Sequence, residues 1–154
     1  MQEPPNRFSR FNHWIPAIIV AILISTFSTR SFAEDHTGWV ILPALHWLFP
    51  WANARTVHLM HTGIRKFAHL TEFAIFSVLV FRGLRGGRTG WKLTWAIATL
   101  LIAAAYASLD ELHQSFVPTR GPSIRDVAID IFGALLTQLG VWLYARRAGK
   151  RPYE

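Results

Sequence analysis

The chain has 154 residues, 51% of them hydrophobic, with a formal net charge of +7 and no cysteine. Without cysteine there is no disulfide framework, no thiolate nucleophile and no Cys-ligated metal. The hydrophobic residues form long runs and the Lys and Arg residues gather between them, which is typical of a membrane protein. A nucleic-acid-binding protein would spread its basic residues along one water-facing surface, so the charge predicts no nucleic-acid partner.

Four apolar runs predict an all-α integral membrane protein, a four-helix bundle that forms a single domain over residues 1–154. Pro16 lies near the start of the first run, where a proline costs a helix little. Arg residues before this run and Ser31-Phe32-Ala33 after it also fit a cleaved signal peptide, which is the alternative to a first span. The predicted spans cover about residues 14–30, 64–81, 91–109 and 124–144.

A further apolar stretch, Gly38 to Ala52, lies between the first and second spans. Pro43 and Pro50 interrupt it, and it is too short to cross a hydrocarbon core about 30 Å thick. Its tryptophans suit the headgroup level of a bilayer. We therefore expect a short interfacial or re-entrant segment between helices 1 and 2 rather than a fifth span.

The distribution of basic residues predicts that both termini are cytoplasmic. In that orientation the cytoplasmic side holds ten of the sixteen Lys and Arg residues, and the other side holds six of them together with seven of the nine acidic residues. The positive-inside rule favours this arrangement, and four crossings supply the even number that it needs.

Ionisable side chains occur near one end of each of the last three spans. A charged side chain at the centre of a span costs about 2.5–3.5 kcal/mol, so such residues normally face a bundle interior or water. The start of the second span, the end of the third and the start of the fourth all lie at the non-cytoplasmic leaflet, and Asp110 belongs to this end. The predicted ligand-binding residues there are Lys66, His69, Glu72, Glu111, Gln114, Arg120, Asp126 and Asp130.

Helical spacing places acidic and small residues on one face of the last span. Small residues let helices approach closely in lipid, so we expect this face to point into the bundle. Two carboxylates one turn apart repel each other unless a cation lies between them or one keeps its proton. Arg120, on the turn before this span, would bind either a ligand phosphate or carboxylate, or an acidic residue of the protein. The predicted face comprises Asp126, Asp130, Gly133, Thr137, Gly140 and Tyr144.

These residues form a pattern that resembles the VanZ-like family of bacterial membrane proteins. The family pattern begins with a Lys, a His three residues later and then an aromatic residue, which here are Lys66, His69 and Phe73. It continues with an acidic residue and a Gln, a Pro and Arg pair, and an Asp and a Gly in the last helix. In this chain those residues are Glu111, Gln114, Pro118, Arg120, Asp126 and Gly133.

The stretch Phe27-Ser28-Thr29 is also similar to the family, whereas three positions depart from its pattern: Arg65 replaces an Asp, Thr119 a Gly and Asp130 an Asn. Asp130 adds a negative charge, when ionised, where the family is usually neutral. The resemblance implies a multi-pass protein of the bacterial inner membrane and cell envelope, tied in some members to resistance to lipoglycopeptides of the teicoplanin type. It implies no particular reaction.

The predicted function is non-enzymatic binding at the outer leaflet. The ligand would be a lipid headgroup, a lipid-linked envelope precursor or a lipoglycopeptide antibiotic. Lys66 and Arg120 would hold an anionic group, and the other residues of the cluster would orient it. Whether the chain forms a homo-oligomer is left open.

Three alternatives remain at this point. An enzyme acting on a lipid headgroup or lipid-linked phosphate would use His69, Glu111 and Asp126 as candidate catalytic residues, with His69 as the base and a carboxylate orienting it. No nucleophile motif such as G-x-S-x-G supports this, so enzymatic activity is undecided. A small transporter or flippase would titrate Glu72 and Asp130, for which four spans are few without oligomerisation. In the last alternative the cluster only holds the helices together.

Neither a metal nor a cofactor is predicted. His58 and His61 are one turn apart, but there is no H-E-x-x-H motif, and interfacial histidines commonly serve as hydrogen-bonding groups. Aromatic belts at the membrane interface account for the seven Trp residues.

Overall fold

The computed structural model describes residues 11–29, 34–116 and 123–148. Within these residues the secondary structure is helical and contains no strand, so the all-α prediction is confirmed. The five helices are α1 (Ile15–Phe27), α2 (Glu34–Leu48), α3 (Ala54–Arg85), α4 (Leu93–Gln114) and α5 (Ile124–Ala148).

Three of these helices are long and apolar enough to cross a membrane. They are α3, α4 and α5, with 32, 22 and 25 residues. Helix α1 has 13 residues and is therefore about 20 Å long, which is shorter than a hydrocarbon core of about 30 Å. The structure thus gives three helices of spanning length, and the fourth crossing stays a prediction.

Helix α3 is longer than the predicted second span, 64–81. It begins at Ala54 because Asn53 caps its first turn: the Asn53 side chain accepts a hydrogen bond of 2.9 Å from the main-chain N–H of Thr56. It ends at Arg85, where Gly86 takes the left-handed conformation (φ 57°) that closes many helices. The helix therefore includes the predicted span, whose bounds follow the rise in hydropathy rather than the helix caps.

Helix α2 and the residues after it correspond to the predicted interfacial or re-entrant segment. Pro43 does not end the helix, which continues to Leu48. Leu45 is buried and α2 packs on α3, whereas Trp39, Trp47 and Trp51 are 83%, 81% and 79% exposed. Exposed tryptophans on a short helix suit the headgroup region of a bilayer.

Helices α3 and α5 run parallel to each other, as two successive side-chain contacts between them show. Lys66 contacts Asp126, and Gln138 lies against Ser77 further along both helices. Helix α3 also packs against α1, α2 and α4, and so lies at the centre of the fold. The buried apolar core comprises Ala17, Ile24, Phe73, Phe76, Val80, Ala103, Ala107 and Ala134.

Helices α3 and α5 approach each other closely at Gly133. A Cβ atom at this position would overlap the main-chain carbonyl oxygen of Leu70. Gly133 lies one turn beyond Asp130, and Leu70 is the residue after His69, so this contact also sets the distance between those two side chains.

The predicted inward face of the last span is correct only in its first half. Asp130 and Gly133 are buried, but Gly140 and Tyr144 are exposed, and Ala134 and Gln138 are buried instead. The predicted face repeats every 3.5 residues, whereas a straight α-helix repeats every 3.6. The predicted face therefore rotates away from the core along the helix.

Candidate functional site

Polar side chains from four helices meet beside the middle of α3. The end of α4 and the start of α5 reach this level, and the residue that follows α1 does so too. Lys66 is twelve residues beyond Ala54, so the cluster lies about 18 Å from the first residue of α3. The predicted convergence of the second, third and fourth spans is therefore present in the structure, deeper along α3 than the sequence indicated.

Lys66 and Asp126 form the outer part of the site. Lys66 Nζ lies 2.6 Å from Asp126 Oδ1, and the two side chains are 42% and 26% exposed. The main-chain N–H of Asp126 donates to the Ser123 hydroxyl at 3.3 Å, which fixes the first turn of α5. We call this pair the rim of the site.

His69 and Asp130 lie deeper and form the floor of the site. His69 Nδ1 is 3.5 Å from Asp130 Oδ1, and the Asp130 side chain is 0% exposed. That separation is at the limit of a hydrogen bond, and neither Asp130 oxygen has a hydrogen-bond partner among the described residues. An ionised carboxylate buried in this way costs several kcal/mol unless a cation compensates it, and His69, when protonated, is positioned to supply that cation.

A second buried network joins α1 to α4. The Ser28 hydroxyl and the Gln114 side-chain amide both donate to Asp110 Oδ2, each at 2.8 Å. All three residues are buried. The network ties the end of α1 to the last two turns of α4, and it leaves the second oxygen of Asp110 without a hydrogen-bond partner among the described residues.

Glu111 connects α4 to the start of α5. Its Oε2 accepts a hydrogen bond of 2.7 Å from the main-chain N–H of Ser123, while Oε1 is buried without a partner among the described residues. The enzymatic alternative paired His69 with Asp126 or Glu111, but the carboxylate that the structure places 3.5 Å from the His69 Nδ1 belongs to Asp130. A different carboxylate from those expected is therefore positioned to orient the imidazole.

The structure brings together most of the predicted site residues. Glu72 lies on α3 three residues after His69 and is partly buried. Arg120 lies outside the described residues, so its predicted role stays a prediction. The residues brought together by contacts or shared helix turns are Lys66, His69, Glu72, Glu111, Gln114, Asp126 and Asp130.

Sequence reasoning missed Ser28 as a site residue and left Asp110 out of the predicted ligand set. Ser28 is uncharged, and its partner is 82 positions away in the chain, so no local spacing reveals the contact. Ser28 could have been found from the stretch Phe27-Ser28-Thr29 after the first apolar run, which is similar to the family. For Asp110 the signal was its spacing of four residues from Gln114, which places the two on one helix face.

A further polar contact inside the bundle was also missed. Gln138 on α5 donates to the Ser77 hydroxyl on α3 at 2.8 Å, and Ser77 donates to the carbonyl of Ala134 at 3.3 Å. Ser77 is eight residues beyond His69, so this contact lies about 12 Å further along α3. A hydrogen bond of this kind holds two spanning helices in register.

In the described ranges, no group of three or more His, Cys, Asp or Glu side chains has the geometry to hold a metal ion. The hydroxyl and amide groups of the site instead bond to its carboxylates.

Three apolar helices of spanning length, with ionisable side chains between them, are typical of an all-helical membrane protein. A profile of the VanZ/LLP1 family matches residues 7–146, which is nearly the whole chain. The chain therefore belongs to the VanZ/LLP1 family, as its polar pattern predicted. No curated protein and no solved structure matches it.

Proposed function

We propose that this chain is a binding protein of the bacterial cell envelope. Its ligand is the polar head of a membrane lipid, of a lipid-linked envelope precursor or of a lipoglycopeptide. The ligand binds at the rim of the site, and the protein catalyses no reaction on it. The observation that carries this proposal is the gradient of exposure from the rim to the floor: Lys66 and Asp126 are partly exposed, whereas Asp130 is fully buried. A ligand head that arrives from outside meets the rim first.

The rim pair is suited to exchange partners with a ligand. A partly exposed ion pair contributes only about 0–1 kcal/mol, because water competes for both charges. An anionic group of a ligand can therefore replace Asp126 as the partner of Lys66 at little cost. Lys66 keeps three N–H donors, so one ammonium can serve Asp126 and a ligand oxygen together.

The floor is suited to hold the rim in place. Two contacts join α3 to α5 directly beneath Lys66 and Asp126. They are the close approach of Gly133 to Leu70 and the pair of His69 with Asp130. A binding site needs side chains held by a supporting layer, and these contacts form that layer.

We also propose that α1 is the fourth crossing and that both termini are cytoplasmic in the bacterial inner membrane. The Trp14 ring packs against Gly83 near the end of α3, and Ser28 reaches Asp110 near the end of α4. The segment around α1 therefore extends along most of the bundle, although its regular helix is short. The distribution of basic residues supports the orientation.

Retention of lipid by the purified chain tests the binding proposal. Native mass spectrometry of the detergent-purified protein would identify the lipids that remain bound to the parent, to Lys66→Met and to Lys92→Met. The same substitution is made twice, once at the rim and once at the opposite end of the bundle. We expect a retained species that disappears in Lys66→Met and persists in Lys92→Met. The same lipids bound in the same number to all three proteins would refute the proposal.

The His69 and Asp130 pair is the one observation that favours an enzyme, since a buried carboxylate can orient an imidazole base. The nearby hydroxyl groups weigh against it. Ser108 and Ser115 donate to carbonyls of their own helix turn, and Ser28 donates to Asp110. Loss of turnover in His69→Ala, with lipid retention unchanged, would favour the enzyme over the binding protein.

A further inference from the structure

The opposite end of the α3 and α5 pair contains an open groove. It has a volume of about 530 Å³ and lies between residues 78–85 of α3 and residues 137–144 of α5. Phe81 and Val141 are among its apolar lining residues. Gly140 also lines it, and no atom lies within 4 Å of the position that a Cβ at Gly140 would occupy. The volume falls within the roughly 300–1,000 Å³ of typical ligand sites.

The side chains around this groove are basic. Arg82 and Arg85 line it directly. Residues 79–92 and 141–148, which form this end of α3 and α5 and the connection from α3 to α4, contain six basic side chains and no acidic one. A ligand of complementary charge is therefore anionic.

Two of the neighbouring arginines have partners, whereas the Arg85 Nε has none within the part of the chain that the structure describes. The Arg88 guanidinium donates to two main-chain carbonyls and lies 4.8 Å from the Trp95 ring centre, and Arg146 lies 4.6 Å from that of Trp142. Nε of Arg85 is buried, and no acceptor lies within hydrogen-bonding distance of it among the described residues. A phosphate oxygen would supply the missing acceptor through a charge-assisted hydrogen bond.

We propose that this groove, which we call the basic groove, binds an anionic phospholipid. One acyl chain lies along Phe81 and Val141, and the phosphate is held by Arg82 and Arg85. Tyr144, which is 76% exposed, lies at the level of the headgroup, where amphipathic rings are favoured. A lipid fits better than a soluble phosphate because the groove is apolar and opens between two helices that cross the bilayer.

The basic groove is separate from the site of the proposed function. Arg82 is thirteen residues beyond His69 on α3, which corresponds to about 20 Å along the helix. The groove and the polar cluster can therefore be tested independently, and the failure of one proposal leaves the other standing.

Titration of the delipidated full-length protein with defined lipids tests the proposal. Native mass spectrometry would compare phosphatidylglycerol with phosphatidylcholine of the same acyl chains, and we expect preferential binding of the anionic lipid. Each basic residue near an anionic lipid contributes about fivefold in affinity, so Arg82→Gln combined with Arg85→Gln should weaken phosphatidylglycerol binding about 30-fold. Gly140→Leu should abolish the same binding by filling the groove while every charge is retained.

Matched substitutions at the other end of the same helices serve as controls. Arg55→Gln combined with Arg125→Gln removes the same two charges from exposed positions on α3 and α5. Gly63→Leu repeats the glycine change at an exposed helical position that also has no atom within 4 Å of its Cβ position. We expect both control proteins to bind phosphatidylglycerol like the parent.

Equal binding of the two lipids would overturn the proposal, and so would unchanged phosphatidylglycerol binding in Gly140→Leu. A parent dimer that becomes monomeric in Gly140→Leu would assign the groove to a second copy of the chain instead. Circular dichroism and gel filtration identify any variant that fails to fold. If the arginine double variant fails in this way, Gly140→Leu and Gly63→Leu alone decide the outcome.

Discussion

The two ends of the α3 and α5 pair differ in how closely the helices approach. At Gly133 the backbones touch, and the ionisable side chains just above this contact are buried and paired. Seven residues further along α5, Gly140 faces an open groove with basic side chains around it. The same residue type on the same helix therefore closes the bundle at one end and leaves it open at the other.

The comparison of the two glycines gives the largest expected effect on stability. Gly133→Ala introduces a methyl group that overlaps the carbonyl oxygen of Leu70, so α3 and α5 must separate at a cost of about 1–3 kcal/mol in the free energy of unfolding. Gly140→Ala should be neutral or stabilising by up to about 1 kcal/mol, because alanine favours the helix. Thermal unfolding in detergent measures both, and equal effects would contradict the difference between the two ends.

The buried network of Asp110 gives the next largest effect. Ser28→Ala removes one of the two hydrogen bonds to a buried carboxylate oxygen and should cost about 1–2 kcal/mol in the free energy of unfolding. Ser108→Ala is the matched control, since the Ser108 hydroxyl is exposed and donates to the carbonyl of Ala104 on its own helix. Unfolding midpoints that fall equally in the two variants would mean that the network adds no stability.

A smaller effect is expected for the contact between Ser77 and Gln138. Hydrogen bonds between spanning helices contribute about 0.6 kcal/mol on average. A double-mutant cycle with Ser77→Ala and Gln138→Leu should therefore give a coupling energy near that value. A coupling energy of zero would show that the contact only fills space between the helices.

A similarly small effect on stability is expected at the rim. Asp126→Asn removes the charge partner of Lys66, but the pair is partly exposed, so the free energy of unfolding should change by less than about 1 kcal/mol. Retention of an anionic rim ligand should persist or increase, because the Lys66 ammonium then has no carboxylate competing for it. A stability loss as large as that of Gly133→Ala would instead make the rim a structural contact.

Charge determined how much of the site could be predicted from the sequence. Lys66, His69 and Asp126 interrupt apolar runs, and a charged residue in such a run is conspicuous because the bilayer disfavours it. Ser28, which is uncharged, could not be recognised in this way, because its role depends on a contact between distant parts of the chain.

Helix geometry determined how much of the fold could be predicted. Hydropathy located the spanning helices. The start of α3, however, depends on the Asn53 cap, and hydropathy alone does not detect a capping residue. The difference between Gly133 and Gly140 could not be predicted either. It arises from the gradual rotation of the small-residue face away from the core, which depends on how the two helices cross.

The meeting of the rim residues is the claim on which the proposed site depends, and crosslinking tests it most directly. Because the native chain has no cysteine, Lys66→Cys can be combined with Asp126→Cys, or with Tyr144→Cys near the far end of α5, and treated in membranes with a short thiol crosslinker. The account predicts efficient crosslinking of positions 66 and 126 and none of positions 66 and 144. Failure of the first pair to crosslink, with both thiols reactive toward a small label, would contradict it.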